Sequence, residues 1–507
     1  MADGAGTGGT DPDPEQSGFR RARGDGARLA VDIGGTFTDV ALEVGGRLVT
    51  TKVLTTQAAP ELAVLEGVRK VLQMGAVAPS SVRLVIHGTT LATNAIIERK
   101  GAKTALIVTE GHRDALEMAQ ENRFEQYDIG VDRPPPLVPR HLRLPVTERV
   151  DRRGRVLIPL DEDSVRAVLP TLDEHGVESV AVGLIHGYAN PAHERRIAEI
   201  LAAERPGLSV TLASDVCPEI REYERLSTAC ANAYVRPLMA RYLTGLAASL
   251  RDEGLACPFL LMTSGGGLTT LDTAVTAPIR LVESGPAGGA ILASQLARDL
   301  ELGDVLSFDM GGTTAKLCVI DGGEPLHSRT FEVARSYRFK QGSGLPVRIP
   351  VIEMVEIGAG GGSIAGVDDL DRIHVGPESA GSEPGPAAYG RGGEEATVTD
   401  ADVVLGRIDP ELFAGGAIGL NRARAEAAVA GSVGGRLGLE ATVAALGVSE
   451  MVDENMSNAA RTHAIEWGKA RWEAKRLQHD LTPPFADLRG KRQELLGMTD
   501  GKGAAHL

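Results

Sequence analysis

The chain has few cysteines, few aromatic residues and no long apolar run. Its four cysteines (Cys217, Cys230, Cys257 and Cys318) lie far apart, which argues against a disulfide scaffold and a structural zinc site. Aromatic residues make up 4% and the net charge is −15, which disfavours a nucleic-acid-binding surface. No segment approaches the roughly 20 apolar residues of a membrane-spanning helix, and the first residues lack the apolar core of a secretory signal. These absences predict a cytoplasmic chain without a nucleic-acid or membrane partner.

Glycine, in contrast, is abundant. The 507 residues include 62 glycines, while 43% hydrophobic and 24% charged residues are ordinary for a globular protein. Glycine at this density indicates flexible tails or loops whose backbone approaches a ligand closely. Residues 1–27 are rich in glycine, aspartate, proline and arginine, and we expect them to be disordered.

The remaining chain alternates strand and helix patterns. RLAVDIGG, FTDVALEV and RLVTTKVL predict three antiparallel strands in a meander, and the next segment, from Pro60, predicts a helix with apolar residues at 62, 65, 68 and 72. The βαβ rhythm that follows indicates a mixed or parallel sheet covered by helices. We expect one lobe over 28–205, a second over 206–468, and a divergent tail over 469–507 in which only 469–479 form a helix.

An internal repeat is the most informative feature of the sequence. VDIGGTFTDVALEVGG (31–46) aligns without a gap to FDMGGTTAKLCVIDGG (308–323). Asp32 matches Asp309, and two Gly-Gly pairs and one threonine also match. Each copy reads as a strand, a D-x-G-G-T turn, a strand, a Gly-Gly turn and a strand. The chain therefore contains two related β-meanders.

The D-x-G-G-T turn suits a phosphate-binding loop. Its glycines let backbone amides approach an anion, and its threonine hydroxyls can donate to phosphate oxygens. Aspartate repels a bare phosphate but suits Mg²⁺ or its bound waters. Ordinary hairpin turns are the alternative for a single copy, because aspartate and glycine are common there. Two copies favour a nucleotide bound in a cleft, with one loop from each lobe.

The sequence resembles a known family through these and several longer segments. They are DIGGTFTDV, HGTTLATNAI, GHRDALEM, HGYANPAHE, REYERLSTACANAYVRP, ESGPAGG, DMGGTTAK, GSGLPVRIPVIEMVEIGAGGGSIA, SAGSEPGPAAYGRGG and TVTDADVVLGR. Over 28–468 the chain is similar to the ATP-dependent hydantoinase A/5-oxoprolinase family, which is related to acetone carboxylase β subunits. The resemblance implies an α/β fold with two lobes, of the actin-like ATPase and sugar-kinase type, with duplicated β-meander phosphate loops.

The resemblance also implies a function and a set of site residues. ATP with Mg²⁺ is expected to drive the opening of a cyclic amide, with a hydantoinase B-type partner subunit in an oligomer. Asp32, Asp309 and His87 are predicted to be catalytic, and the two aspartates to hold Mg²⁺. The residues predicted to bind ATP are Gly34, Gly35, Thr36, Thr38, Gly311, Gly312, Thr313, Thr314, Gly358, Gly360 and Gly361.

Other segments allow more than one interpretation. His87 stands at a strand end, where a structural histidine is the common case. The small residues of ESGPAGG precede a predicted helix and suit an anion site, although tight packing explains them equally well. Gly358–Gly362 lies between apolar segments, which favours close backbone approach to a ligand over a surface linker. REYERLSTA (221–229) is expected to be a solvated helical face with salt bridges.

Two departures from the family pattern affect these predictions. Lys316 stands where the first copy has Asp39, so the second loop cannot hold Mg²⁺ in the same way. After Gly468 the sequence lacks the G-A-G-P-type segment that contacts adenosine in the family, which predicts a truncated end and weak nucleotide affinity. A ketone-carboxylase-like ATPase subunit and a degenerate, non-catalytic partner subunit are the alternative functions.

Overall fold

The structure is a computed structural model that describes residues 26–477, except 36, 57–58, 122, 129, 336–341 and 417. Of residues 415, 466 and 469–477 it describes only the backbone. Residues 1–25 of the predicted N-terminal tail and residues 478–507 of the predicted C-terminal tail therefore lie outside the described residues. No helix in the described ranges has both the length and the apolar character needed to cross a membrane.

The first part of the chain alternates strands and helices, as predicted. Its strands are β1 (Ala27–Ile33), β2 (Phe37–Val44), β3 (Arg47–Leu54), β4 (Val82–Thr89), β5 (Thr104–Thr109), β6 (Arg143–Val146), β7 (Arg149–Val150), β8 (Val156–Ile158) and β9 (Ser179–Gly183). Its helices are α1 (Pro60–Gly75), α2 (Leu91–Ile97), α3 (Ala115–Met118), α4 (Glu162–Glu174) and α5 (Ala192–Glu204).

The second part of the chain contains shorter strands and two long helices. Its strands are β10 (Ser209–Leu212), β11 (Phe259–Met262), β12 (Leu268–Thr270), β13 (Asp304–Met310), β14 (Ala315–Asp321), β15 (Glu324–Pro325), β16 (His327–Ser328), β17 (Phe331–Val333), β18 (Leu345–Val347), β19 (Val351–Ile352), β20 (Val355–Ile357), β21 (Ser363–Val367) and β22 (Ile373–Ser379). Its helices are α6 (Ala213–Val216), α7 (Glu222–Asp252), α8 (Leu271–Thr276), α9 (Ser284–Asp299), α10 (Val398–Leu405), α11 (Arg422–Val429), α12 (Gly435–Leu437) and α13 (Ala441–Leu477). The predicted helix at 469 is thus the end of α13, at least to Leu477.

The described chain divides into two units. Unit 1 runs from the first described residues to Asp309 and adds Cys318–Glu353 and Ala414–Ile418. Unit 2 takes Met310–Leu317 and Met354–Phe413, and continues from Gly419. The second D-x-G-G-T segment therefore contributes its aspartate to unit 1 and its glycine loop to unit 2.

Unit 1 contains two sheets. The first has the strand order β12-β11-β4-β1-β2-β3, in which β1, β2 and β3 form the predicted antiparallel meander and β4 runs parallel to β1. The second has the order β10-β9-β5-β6 with all neighbours parallel. The strands β5 and β9 are buried along their whole length, as expected for a parallel sheet covered on both faces.

Helix α1 shows how local sequence sets one of these elements. Pro60 occupies its first turn, where the missing amide costs nothing, and Ala76 ends it in a left-handed conformation. Val64 and Val68 are fully buried, and a Cβ on Gly67 would lie 2.5 Å from Val40 of β2. Leu62, which the apolar spacing assigned to the buried face, is 56% exposed.

The duplication predicted from the sequence is present in the backbone. The meander of β13, β14 and β15 repeats that of β1, β2 and β3, and its strands end or begin at equivalent residues. Gly45 and Gly46 have φ values of 54° and 80°, and Gly322 and Gly323 have 59° and 81°. Two successive positive φ values define the tight hairpin turn for which Gly-Gly is suited.

Helix α7 corrects one prediction. REYERLSTA was expected to be a solvated face, yet Arg225 is fully buried and Glu224 is 7% exposed. The Arg225 guanidinium donates to the carbonyl oxygen of Leu184 at 2.7 Å, so it is satisfied inside the protein. Charged residues at helical spacing gave no sign that this turn faces a neighbouring sheet.

In unit 2, the strand pairs β14–β20 and β21–β22 accompany α10, α11 and α13. TVTDADVV, part of one segment that carries the family resemblance, begins α10 with a capping box between Thr397 and Asp400. The buried Asp400 carboxylate also accepts the amides of Ala387 and Ala388, at 3.2 and 2.7 Å. This segment therefore has a structural role in holding α10 to the preceding loop.

Candidate functional site

The first D-x-G-G-T loop is a tight turn between β1 and β2. The amide of Gly34 donates to the carbonyl oxygen of Phe37 at 2.9 Å. The Thr55 hydroxyl donates to the Gly34 carbonyl oxygen at 3.0 Å and lies 3.0 Å from the hydroxyl of the buried Thr38. Thr38 thus fixes the loop from inside, and its contact with ATP stays a prediction. Thr36 lies outside the described residues.

The second loop has the same turn. The amide of Gly311 donates to the carbonyl oxygen of Thr314 at 2.9 Å, which is the equivalent pair of residues. A Cβ on Gly34 or on Gly311 would lie 3.2 or 3.4 Å from the accepting oxygen. The repeated glycines therefore serve the same turn geometry in both copies.

Within unit 2, the segment Gly358–Gly362 braces the second loop. The amide of Gly361 donates to the carbonyl oxygen of Gly311 at 3.0 Å, and that of Gly362 donates to Gly312 at 2.6 Å. Two glycine loops therefore share hydrogen bonds as if they were neighbouring strands. The pairing holds the second loop in its turn without help from side chains.

Gly360 marks the closest approach of these two loops. A Cβ at this residue would lie 2.7 Å from the carbonyl carbon of Thr313 and 2.8 Å from the carbonyl oxygen of Gly311. The Gly360 amide donates to the Ser363 hydroxyl at 2.9 Å. The close backbone approach expected of this segment is therefore an approach to the protein's own loop. Contact of ATP with Gly358, Gly360 and Gly361 stays a prediction.

In unit 1, two glycines make room for the Asp32 carboxylate. Asp32 lies opposite Gly88 of β4, where an added Cβ would lie 2.7 Å from Oδ1. A Cβ on Gly285 would lie 2.9 and 3.0 Å from the two carboxylate oxygens. Any larger side chain at either glycine would displace Asp32.

Gly285 belongs to the first turn of α9. The sequence placed the small residues of ESGPAGG before a helix, whereas Ser284 to Gly289 form the start of the helix itself. The Ser284 hydroxyl accepts the amide of Thr89 at 3.0 Å and donates to its carbonyl oxygen at 3.1 Å. This exchange ties the beginning of α9 to the end of β4, beside Asp32.

The charges around Asp32 are mostly negative. Protein atoms surround most of its carboxylate although one side is open to water, and this loss of hydration is the main reason why its pKa rises to about 6. The charges of Asp39 and Asp309 raise the pKa further, and that of Lys52 lowers it. Burial also raises the pKa of Asp309. The Lys52 ammonium group donates to the Asp39 carboxylate at 2.7 Å, so its positive charge acts on Asp39 as well as on Asp32.

This arrangement fits a divalent cation. Carboxylate oxygens are the ligands that Mg²⁺ prefers, and a nearby cation removes the repulsion that raises the pKa of Asp32. In the described ranges no group of three or more acidic, histidine or cysteine side chains is arranged to hold a metal alone. Asp32 and Asp309 therefore suit an ion that keeps waters and phosphate oxygens among its ligands.

His87 lies in the core of unit 1. Its Nδ1 is 3.3 Å from the Val31 carbonyl oxygen, and its Nε2 accepts the Tyr242 hydroxyl at 2.9 Å. Its ring stacks on Phe259 with 5.9 Å between the ring centres. Burial lowers the pKa of His87 to about 4, so the ring is neutral. In this geometry His87 links β1 to α7, and its catalytic role stays a prediction.

Three residues lie beside Asp32 in an arrangement that the sequence analysis did not predict. Gly88 and Gly285 contact Asp32, and Lys52 is the cation next to it. The pairing of Lys52 with Asp39 could have been inferred, since a two-residue turn at Gly45-Gly46 places them opposite each other. The closeness of Gly88 and Gly285 to Asp32 depends on the packing of distant segments, so no local sequence pattern indicated it.

Comparison with protein families matches two models to most of the chain. The hydantoinase/oxoprolinase N-terminal region matches residues 28–205, and hydantoinase/oxoprolinase matches residues 225–477. These ranges include both D-x-G-G-T loops.

Several relatives have known activities. The caprolactamase subunit alpha of Pseudomonas jessenii is 35% identical over 87% of this chain and 63% of its own length. The acetone carboxylase beta subunit of Xanthobacter autotrophicus is 30% identical over 86% of this chain and 62% of its own. The 5-oxoprolinase of Saccharomyces cerevisiae is 33% identical over 76% of this chain and 32% of its own. The chain thus spans less than two thirds of the length of these relatives.

Solved structures agree with this relationship. The nucleotide-free structure of acetone carboxylase has a TM-score of 0.75 and 28% identity, covering 86% of this chain and 63% of its own. The ATP-dependent caprolactamase from Pseudomonas jessenii has a TM-score of 0.70 and 34% identity with the same coverage. Both have the actin-like ATPase type of fold, and the described chain shares it, as the resemblance implied.

Proposed function

The chain belongs to the hydantoinase/oxoprolinase family, and from this premise we propose that it is an ATP-dependent subunit of a cyclic-amide hydrolase. It would transfer the γ-phosphoryl group of ATP to the amide oxygen of a lactam or hydantoin ring. The observation that supports this most is the duplicated turn at Gly34 and Gly311, with Asp32 and Asp309 in register before the two turns.

Each loop is proposed to contact the polyphosphate of ATP through its backbone. The residues concerned are Gly34, Gly35, Thr36 and Thr38 in the first copy and Gly311, Gly312, Thr313 and Thr314 in the second. Gly358, Gly360 and Gly361, in the segment next to the second loop, are proposed to bind ATP as well. Backbone amides around glycine turns bind anions without the entropy cost of ordering long side chains.

Asp32 and Asp309 are the residues proposed to hold Mg²⁺, in part through water. When bound, the ion neutralises the phosphate charge that the carboxylates alone repel. Above pH 6, Asp32 is mostly ionised and ready to bind a cation, since its pKa is about 6. Gly88 and Gly285 leave room for its carboxylate, because a side chain at either position would collide with it.

Phosphorylation addresses a specific chemical problem. Resonance makes an amide carbon a poor electrophile, and it also shortens the C–N bond. Once the oxygen carries a phosphoryl group, water can attack the ring carbon, and the ring C–N bond breaks as the nitrogen takes a proton. A second water then hydrolyses the resulting acyl phosphate to a carboxylate and inorganic phosphate. We assign these hydrolytic steps to a B-type partner subunit, since the relatives named above include subunits of larger enzymes.

A second candidate function keeps the phosphoryl transfer but directs it to a ketone. It is favoured by the similarity to the acetone carboxylase beta subunit and to the structure with the TM-score of 0.75. A non-catalytic subunit is the third candidate. Turnover of ATP in the presence of a lactam, a hydantoin or a ketone, with partner subunit present, separates the three.

Replacing Asp32 tests the proposed role of the loops. Asp32→Asn should lower Mg²⁺-dependent ATP turnover by much more than tenfold, because the uncharged amide cannot neutralise the ion. The control is Asp173→Asn, which removes an exposed carboxylate paired with Arg205 on the surface at 2.6 Å. Turnover of Asp32→Asn within tenfold of the wild type, about 1.4 kcal/mol of barrier, would remove the metal role of Asp32.

A further inference from the structure

The second sheet of unit 1 has a topological switch point away from the glycine loops. The chain passes from β5 to β6 on one side and later returns to β9 on the other side of β5. In open parallel sheets, ligands bind outside the carboxyl ends of the strands at such a point. Thr109 is the last residue of β5, and Gly183 is the last of β9.

A buried carboxylate orients a histidine at this edge. The Glu148 side chain, which follows β6, is completely enclosed, and one of its oxygens accepts the Thr109 hydroxyl. The other oxygen lies 2.9 Å from Nδ1 of His193, whose side chain is 12% exposed. Since Nδ1 donates to the carboxylate, Nε2 is the nitrogen left for another partner, and no hydrogen bond to it is formed within the described ranges.

An arginine without a carboxylate lies in the same cluster. Arg149 follows Glu148 and donates from Nη1 to Nε2 of His112 at 3.0 Å. Because guanidinium only donates, His112 accepts and is neutral. Burial and the Arg149 charge lower the pKa of His112, while Glu222 and Glu148 raise it and His186 lowers it. Among described residues, no carboxylate lies within 4.0 Å of the Arg149 guanidinium nitrogens.

The loop that carries His186 is held from behind. Glu194 accepts the amide of Leu184 at 2.9 Å, and Arg225 donates to the Leu184 carbonyl oxygen at 2.7 Å. The Arg225 guanidinium also covers the Tyr188 ring at 5.4 Å. His186 has a φ of 56°, which is uncommon for a residue with a side chain. Strained positions of this kind persist where the surroundings fix them, often at binding sites.

We propose that these residues form a second small-molecule site, which binds the oxyanion of a carboxylate or phosphate group between Arg149 and His193. We call it the His–Arg cluster and define it as His112, Glu148, Arg149, His186 and His193. Arg149 supplies a positive charge with which no carboxylate of the described residues forms an ion pair. In its imidazolium form, His193 donates from Nδ1 to Glu148 and from Nε2 to the bound anion.

The cluster is not arranged as a metal site, since its acidic and histidine side chains form no group of three that could hold an ion. It involves none of the residues assigned to ATP or Mg²⁺. HGYANPAHE and GHRDALEM supply His186, His193 and His112, so the cluster gives a role to two segments that the nucleotide loops leave unexplained.

Titration calorimetry on the full chain tests the proposal, with inorganic phosphate and acetate as separate probes. Binding of at least one of the two probes should be saturable. Binding of acetate would indicate carboxylate ligands, and binding of phosphate alone would indicate phosphorylated ones.

Two variants locate the site. Arg149→Met should weaken binding at least tenfold, and His193→Gln should also weaken it, because it removes the proposed donor at Nε2. Arg153→Gln, an exposed arginine in the neighbouring turn, is the matched control and should leave binding unchanged. Binding that persists in Arg149→Met belongs elsewhere, for example to the glycine loops, and would overturn the proposal. Absence of saturable binding of both probes to the wild type would also overturn it.

A measurement on the wild type guards against variants that fail to fold. Nitrogen NMR of the histidine rings should show the signals of one ring shifting as the anion is added. If the signals of all histidine rings stay unchanged while the anion binds, the proposed contact with His193 is wrong.

Discussion

The two copies of the D-x-G-G-T meander share a backbone but differ in their neighbours. Both have the same turn hydrogen bond and the same pair of positive φ values at Gly-Gly. However, β1 lies between β2 and β4, whereas β13 is the end strand of its sheet in the part of the chain that the structure describes. Leu306 and Phe308 of β13 are 36% and 48% exposed. The duplicated sequence therefore determines the turn geometry, whereas neighbouring strands determine how far each copy is buried.

The charge pairs next to the two loops are reversed. In the first copy, Asp39 of β2 lies opposite Lys52 of β3. In the second copy, Lys316 of β14 lies opposite Glu356 of β20. The aspartate thus adds a second negative charge near Asp32, and the second copy has a cation at the equivalent place. The two copies therefore differ in the sign of the charge that stands on the strand after the turn.

The largest effect should come from breaking the brace of the second loop. Gly360→Ala places a methyl group 2.7 to 2.8 Å from backbone atoms of the loop, which cannot move like a flexible side chain. Overpacking of this kind costs about 1–3 kcal/mol. We expect a lower Tm in thermal unfolding and a loss of ATP binding in calorimetry.

The matching change in the first loop is the control for this prediction. A Cβ on Gly35 would meet only the Asn94 amide nitrogen at 3.6 Å, an ordinary contact. Gly35→Ala should therefore leave the Tm nearly unchanged. Equal Tm values for the two variants would show that the second loop tolerates displacement and that the brace is unimportant.

The comparison of the two copies also shows what the sequence could predict. Glycine, aspartate and alternating apolar residues act locally, so the meander, α1 and the turn positions were predicted from short segments. REYERLSTA shows where prediction from short segments fails. Arg225 is buried because β9 and the loop after it pack against α7. Helical spacing of charges cannot reveal a neighbour that is about forty residues away.

The candidate site shows the same limit. Asp32 was identified from its repeat, but the rise of its pKa depends on Asp39, Asp309 and the enclosure beside Gly88 and Gly285. Gly358–Gly362 was predicted to approach a ligand closely, and that contact stays a prediction. Its backbone hydrogen bonds to the second loop were not indicated by any pattern along the chain. Pairwise packing of distant segments determines both features.

The charge of Asp32 should cost stability in the absence of Mg²⁺. Its folded-state pKa of about 6 exceeds the ordinary value of 3.8. The folded state therefore binds this proton more tightly than the unfolded state, and the associated stability is lost as pH rises through about 6. The Tm of Asp32→Asn minus that of the wild type should be larger at pH 8 than at pH 5. A difference that does not change with pH would contradict the raised pKa.

Asp39→Asn sharpens this test. It removes the charge that, after burial, does most to raise the pKa of Asp32. The pH at which the wild type loses stability relative to Asp32→Asn should move down when both proteins also carry Asp39→Asn. Saturating Mg²⁺ should move it down as well, because a cation stabilises the ionised carboxylate.

The smallest effect concerns the two reversed charge pairs themselves. The Lys52 and Asp39 side chains are 39% and 51% exposed, whereas those of Lys316 and Glu356 are 14% and 27% exposed with 3.6 Å between them. An exposed pair contributes about 0–1 kcal/mol and is screened by salt. Asp39→Asn should therefore change the free energy of urea unfolding little, and still less in 1 M NaCl.

Glu356→Gln should cost more than Asp39→Asn. Burial lowers the pKa of Lys316, and the Glu356 charge opposes that change, so the variant leaves an ammonium group in poorly hydrated surroundings without its carboxylate. The difference between the two variants should persist in 1 M NaCl, because salt screens a pair with little access to water only weakly. Both substitutions keep the side-chain shape and replace one carboxylate oxygen with the NH2 group of an amide, so packing is held constant. Equal unfolding free energies for the two variants would mean that the second copy gains nothing from enclosing its pair, and the reversal would then be a difference in sequence without an energetic consequence.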